Sequence, residues 1–450
     1  MHHDALRLRF VQEGESWQQV NSDVEESVPF SVINLSHLLP EEQETAIKVK
    51  NAELQASLNL STGPLAQLAL FQLNKNQPSL LLFIIHHLAV DGISWRILLE
   101  DLATAYQQIS CGEVIKLPLK TTSVQEWSDR LTEYAQSETI VNELNYWLNE
   151  SNFKVGADLT NNVVIAAEKL TIKPALTTLP VDYPSTTEDN TIASTATISF
   201  CLNEEQTRAL LQDVPSIYNT QINDVLLTAL MQSFAQWTGE SSLLIDLEGH
   251  GREDLFADVD LSRTVGWFTT LFPLRLQLEE VDHLGEALKL VKEQLRRIPN
   301  RGIGYGILRY LHKNAEIRRK LQALPQAQVS FNYLGQFDRV LLASAELGTV
   351  KEFKAEQSLM NKRSHLLGIS GFIRAGMLEM TWAYSENVHK RSSIEQLALG
   401  FMEALKNLIT HCQSTDVKGY TPSDFSAAKL NQQQLDKFLS KINKKKTNKR

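Results

Sequence analysis

Three cysteines in 450 residues, Cys111, Cys201 and Cys412, are too few and too scattered for a disulfide framework or a thiolate metal knuckle, and they read as thiols of a reducing compartment. Long apolar runs are lacking as well. The longest, around Leu80–Ile85, falls far short of the roughly 20 residues a membrane span needs, so no membrane partner is expected. The opening MHHDALRLRF has no apolar core of a signal peptide, which predicts a cytoplasmic protein. Basic charge is in deficit, with a net charge of -9, and this excludes a general nucleic-acid partner held through its phosphates. The exception is the C-terminal KINKKKTNKR, a basic run of the kind that is usually a solvated tail. What the chain does have is 43% hydrophobic residues, enough to build the cores of two or three ordinary domains.

The apolar run Leu80–Ile85 predicts a fully buried strand. It is followed by HHLAVDGISW, in which Asp91 and Gly92 turn the chain into a helix. Trp95, Leu98, Leu99, Leu102 and Tyr106 then fall on one helical face. Two histidines at the end of so apolar a strand carry a desolvation cost. Because successive strand side chains point to opposite faces, only one of His86 and His87 can readily share a given cavity.

Elsewhere, Leu6, Leu8 and Phe10 alternate with Arg7 and Arg9 as in a short strand, and Ser123 with Glu126 marks a helix start. Prolines 174, 180 and 184 with STTEDN have the composition of a connection between domains. Beyond it, a strand near Thr197–Leu202 leads to a helix capped by Asn203 with Gln206 in the capping box, and Ile222–Trp237 predicts an amphipathic helix closed by Gly239. A strand Leu243–Leu247 ends in Glu248-Gly-His-Gly-Arg-Glu253. Val329, Phe331 and Tyr333 alternate in a strand ending at Gly335, as do Leu378, Met380, Trp382 and Tyr384. Strands and helices mix without steady alternation, which predicts an α+β class.

Two places could carry chemistry. In the first, His87 and Asp91 have a bland alternative: satisfied core histidines and an aspartate that merely caps the helix. A metal set of His86, His87, Asp91 and His250 is disfavoured because the strand splits the adjacent pair and no zincin spacing is present, so no metal is expected. A serine elbow at Ser94 lacks its second glycine. The second place is Glu248, a strand-terminal carboxylate beside Gly249 and Gly251, whose bland alternative is a solvated turn in which Glu248 or Glu253 pairs with Arg252.

HHLAVDGISW is similar to the HHxxxDG signature of the condensation superfamily of nonribosomal peptide synthetases. HHDALRLRF, DLEGHGRED, SRTVGWFTTLFPL, GIGYGILRYL and VSFNYLGQFD resemble, in order, the motifs of that superfamily's epimerization domains, and GYTPSDF resembles their usual end. The resemblance implies two chloramphenicol acetyltransferase-like lobes in a V-shaped pseudo-dimer with a tunnel between them. It divides the chain into an N-terminal lobe, 1–180, with a first strand and helix expected to be missing, a C-terminal lobe, 190–428, and a tail, 429–450. It implies a substrate carried on the 4'-phosphopantetheine of an upstream peptidyl carrier protein, with no cofactor bound by the domain itself.

By the same resemblance, His87 is the catalytic histidine and Glu248 faces it from the other lobe. Asp91 is structural, paired with an arginine for which Arg7 is the expected match, and His86 and Gly92 complete the turn. Epimerising a thioester-bound amino acid needs two acid/base groups across Cα, a task suited to a histidine and to a carboxylate whose pKa is raised by burial. The enolate needs donors, expected from Tyr333, Asn332 and the backbone N–H groups of Gly92 to Ser94. Ser94, Trp95, Arg263 and Trp267 are expected to touch the substrate or carrier arm. Leu435, Phe438, Leu439 and Ile442 form an apolar stripe in the tail, expected either to pack or to dock a downstream synthetase subunit. The rival readings are an amide-forming condensation domain, in which Glu248 has no task, and a non-catalytic carrier-binding fragment.

Overall fold

The computed structural model describes residues 2–149, 178–278, 283–336 and 357–447, apart from the short stretches 15, 25–27, 75–76, 185–188, 415–418 and 429. The chain groups into two compact units, and neither is continuous in sequence. The first takes the described residues of Met1–Leu131 and His250–Thr269; the second takes those of Thr132–Gly249, Thr270–Asp338 and Ser358–Arg450. The division expected near 180 to 190 is therefore displaced, because Thr132–Asn149 already belongs with the second unit and the stretch after Glu248-Gly249 returns to the first. Much of the proline-rich connection lies outside the described residues.

In the first unit, β1 (Leu8–Glu13) and β2 (Ser16–Asn21) form an antiparallel hairpin, entered through a 3-10 turn, Asp4–Arg7. A three-stranded sheet joins β3 (Phe30–Asn34) in parallel to β4 (Ala66–Gln72), which pairs antiparallel with β5 (Leu80–Ile85); α1 (Pro40–Ala56) contacts β4 and β5. Leu82 and Ile84 of β5 are buried whereas Leu81 is 38% exposed, so this strand is half-buried where its composition predicts full burial. An outer strand covered on one face explains the difference. Helices α2 (Gly92–Ser110) and α3 (Val124–Tyr134) come next, the latter capped by Ser123, whose Oγ accepts the Glu126 N–H at 3.1 Å.

The inward face of α2 is centred on Ser94, Ile97 and Asp101, one residue round from the predicted stripe, and Tyr106 is exposed. Hydrophobicity could not show this, because two of the three buried side chains are polar and are stabilised there by hydrogen bonds.

The second unit takes the last turn of α3, from Thr132, and then the short helices α4 (Glu138–Asn142) and α5 (Leu144–Trp147). Its scaffold is a six-stranded sheet built from β6 (Thr195–Cys201), β7 (Ser242–Gly249), β8 (Thr270–Gln277), β9 (Val329–Gln336), β10 (Leu367–Arg374) and β11 (Met377–Ser385), ordered β6-β11-β10-β9-β7-β8. The pairs β7–β9 and β9–β10 are parallel and the others antiparallel. Helices α6 (Glu204–Tyr218) and α7 (Ile222–Thr238) carry the predicted signals: Asn203 Oδ1 accepts the Gln206 N–H at 2.8 Å, and Gly239 closes α7 at φ 74°. The expected amphipathicity of α7 gives way to burial on nearly every side from Asp224 to Phe234, because the helix packs against both α8 (Leu284–Arg296) and the later helix Arg391–Ser414. Helices α9 (Ile303–Gly306), α10 (Ala315–Gln322), α11 (Arg391–Ser414) and α12 (Gln432–Thr447) complete the unit. Leu378, Met380, Trp382 and Tyr384 of β11 are all fully buried, as their alternation predicts. No helix among the described residues is long and apolar enough to cross a membrane.

Candidate active-site residues

The two histidines separate where β5 ends. The His86 N–H still bonds to the Leu65 carbonyl at 2.8 Å, and its Nδ1 accepts the Leu88 N–H at 3.1 Å, so a neutral His86 carries its proton on Nε2. Burial, aided by the charge of His87, lowers the pKa of His86. His87 opens a 3-10 turn with Leu88 and Ala89, and its side chain is exposed. Its ring centroid lies 5.5 Å from that of Trp267, itself 48% exposed. An exposed imidazole beside an exposed indole is a surface that can take an organic group.

Asp91 fixes this turn. Its carboxylate caps α2 by accepting the Ser94 N–H at 2.7 Å, and it also accepts the Phe268 N–H at 3.3 Å. The arginine that neutralises it is Arg252, whose Nη2 lies 3.0 Å from both carboxylate oxygens. Arg252 also donates through Nη1 to the carbonyls of Leu261 and Thr264, at 2.9 and 2.7 Å, and lies over the Phe268 ring. The expected Arg7 partner is incorrect. Arg7 sits in the 3-10 turn and donates to Asp4 and to the Ser22 carbonyl. Arg252 reaches inward because Gly251, at φ 67°, turns the chain in the left-handed region that glycine favours.

Three expected substrate contacts are committed elsewhere. Ser94 is fully buried; its Oγ donates to the Gly266 carbonyl at 2.8 Å and accepts from Gly266 N–H and Arg252. Its own N–H is engaged by Asp91, which removes it from the expected enolate donors. Trp95 packs on the core around Ile97 and Val90. Arg263 pairs with Asp101 and Glu100, at 2.5 and 3.1 Å. Gly92 is exposed at the first position of α2.

Asp101 is also bonded by His3 Nε2 at 2.9 Å, and burial, the leading influence, leaves the His3 pKa lowered. His2, His3 and Asp101 bring three ligand-type atoms within 4.8 Å of one another. The other oxygen of Asp101 is taken by Arg263, so the histidines join an existing Asp101–Arg263 ion pair, and the hydrogen bond from His3 ties the first residues to α2.

In the second unit, Glu248 stands near the end of β7, where strand register places it level with Asn332 on the same face of the sheet. Asn332 Nδ2 donates to Glu248 Oε2 at 2.5 Å. Two residues back on that face, Asp246 accepts from His365 Nε2 at 2.8 Å. Tyr333 does not join them. It alternates onto the opposite face with Val329 and Phe331, where burial pushes its hydroxyl up to about 12. The bland alternative of Glu248 or Glu253 paired with Arg252 also fails, since Arg252 is held by Asp91 and Glu248 by Asn332.

Sequence reasoning missed Arg252 as the partner of Asp91, because the two are far apart in the chain and Arg252 sits among nearer carboxylates. It also missed Asp101 and Glu143, whose only signal is an acidic side chain inside an amphipathic segment.

A condensation-domain model matches residues 1–431. The chain belongs to the condensation-domain family. This family member is 45% identical over 440 residues to one of the linear gramicidin synthase subunits of Brevibacillus parabrevis, an alignment that covers 97% of this chain and 5% of that protein. The chain thus spans about a twentieth of that relative's length. Among solved structures, it is similar to the epimerization domain from the third module of tyrocidine synthetase B, at 35% identity and a TM-score of 0.78, covering 92% of this chain and 86% of that one. It shares its fold, at a TM-score of 0.64 and 18% identity over 92% of this chain and 87% of the other, with the X-domain from teicoplanin biosynthesis. The α+β fold of this condensation-family chain is therefore the one these two structures share.

Proposed function

We propose that this domain inverts the Cα of an L-aminoacyl or L-peptidyl thioester carried on the phosphopantetheine arm of an upstream carrier protein, with His87 and Glu248 as its two acid/base groups. One group takes the Cα proton, the electron pair of the broken C–H bond delocalises onto the thioester oxygen as an enolate, and the other group delivers a proton to the opposite face. Reversibility requires each to serve in both directions.

The observation that carries the reading is Glu248. Its carboxylate is oriented by Asn332 near a strand end in the EGHGRE segment, and amide formation, the condensation alternative, gives that carboxylate no task. The 35% identity to the tyrocidine synthetase epimerization domain supports the same choice. Asn332 then acts by orienting Glu248, and Trp267 is the side chain best disposed to contact a substrate at His87. A downstream synthetase subunit is the proposed recipient of the product.

The test loads an L-aminoacyl thioester on a carrier in D2O and follows Cα deuteration and chirality. Exchange and inversion in the wild type, both lost in His87→Ala and Glu248→Gln, are expected. An amide product in the presence of a second loaded carrier would point to condensation. If Glu248→Gln exchanges as fast as wild type, the two-group mechanism is wrong.

A further inference from the structure

Between Pro299 and Ile303 the backbone of the second unit takes a form that side chains other than glycine rarely adopt. Asn300 (φ 42°, ψ 39°), Arg301 (φ 51°, ψ 29°) and Gly302 (φ 92°, ψ -10°) are three consecutive left-handed residues. A turn that costs this much persists only where its surroundings hold it.

What holds it is Glu143. This carboxylate is 8% exposed, accepts Asn300 Nδ2 at 2.7 Å and accepts the indole N–H of Trp147 at 3.1 Å. Glu143 also fills the space that a side chain at Gly304 would need. Burial raises its pKa, against the pull of the bonds from Trp147 and Asn300.

The turn is not isolated. Trp147 meets the ring of Phe272 edge-on at 6.1 Å, Phe272 occupies the place of a side chain at Gly302, and the space a side chain at Gly249 would take is bordered by Thr270 Oγ1 and, further out, by the same ring and the Arg301 carbonyl. Phe272 pairs in register with Leu247, and Gly249 with Thr270. These groups therefore lie behind the strand end, on the face opposite to the Glu248 side chain.

We propose that Glu143 is a positioning residue for Glu248, pinning the left-handed turn Asn300–Gly302 and, through Phe272, bracing the end of β7 from behind. The inference rests on the reading of Glu248 as an acid/base group. A small displacement of a reacting carboxylate costs rate more than it costs binding.

The test uses the full chain. In Glu143→Ala, Cα deuteration of a loaded carrier at saturation is expected to slow about 10-fold to 100-fold, with half-saturation changed little and the pH profile displaced. Glu143→Gln, which keeps one acceptor for the two donors, is expected to restore part of the rate. Asp424→Asn, a destabilised variant of the same unit, is expected to exchange at the wild-type rate below its unfolding temperature. Backbone amide exchange by mass spectrometry provides a readout independent of activity: Glu143→Ala is expected to lose protection over both 299–304 and 246–249. If protection over 246–249 stays at the wild-type level while that over 299–304 falls, the positioning role is overturned, whatever the activity. If the wild type itself shows no Cα exchange, the epimerase reading fails, and the amide-exchange result still decides whether Glu143 braces the strand.

Discussion

Arg252 divides one guanidinium among four tasks: it neutralises Asp91, gathers two carbonyls of its own loop, touches Ser94 and covers Phe268. Its side chain is 7% exposed and that of Asp91 is 4% exposed, so this is a buried pair. Removing one member leaves a desolvated charge. Arg252→Ala is therefore expected to destabilise by about 3–5 kcal/mol in urea unfolding. Arg7→Ala removes a partly exposed pair with Asp4 and is expected to cost no more than about 1 kcal/mol. Equal losses would show that Asp91 does not depend on Arg252. The same residue scale separates the two histidines: His86 is tied to the Leu88 N–H, and His87 presents its ring beside Trp267.

At the scale of elements, the end of the second unit is latched. Lys292 of α8, 1% exposed, donates to the Tyr218 carbonyl at 2.9 Å and to both oxygens of Asp424, at 2.7 and 2.8 Å. Burial alone would raise the Asp424 pKa, but the bonds from Lys292, the Thr421 N–H and Asn219 outweigh it and leave it lowered. A lowered native pKa means that the stabilisation is present above the ordinary aspartate range and is lost as pH falls through the native value. Asp424→Asn is expected to lose about 3–5 kcal/mol near neutral pH, and the gap from wild type should close on acidification. A gap independent of pH would exclude the ion pair as its cause. Helix starts such as Ser123 and Asn203, and the alternation in β9 and β11, were legible because capping and periodicity are local. The inward face of α2 was not, since Ser94 and Asp101 are buried only by virtue of partners, Gly266, Arg252, His3 and Arg263, that a periodicity count cannot supply. His87, Glu248 and Asn332 came from motif resemblance; Asp91–Arg252 and Glu143–Asn300 needed coordinates, because each joins segments over 150 residues apart.

At the scale of the molecule, the tail and the division into units matter most. In α12, Leu435 is buried while Phe438 is 56% exposed; the side chains of Leu439 and Ile442 lie outside those described. Leu435 therefore anchors the first turn of this helix, and the proposed docking to a downstream subunit is assigned to the sequence beyond Ser440. Truncation after Ser440, which leaves Leu435 in place, is expected to preserve Cα exchange on a loaded carrier while transfer to a downstream subunit falls; undiminished transfer would end the docking proposal. The return of His250–Thr269 to the first unit has a practical consequence for dissecting or recombining the gene. Gly249 and Thr270 pair directly across β7 and β8, so the intervening twenty residues are a graft that the second unit's sheet could close over without them. The first unit cannot spare them, for they supply Arg252, Gly266 and Phe268 to Asp91 and Ser94. A chimera that exchanges only the stretch before Thr132 thus inherits its histidine turn from one parent and that turn's counter-charge from the other, and crossovers there will succeed only between parents whose grafts are interchangeable.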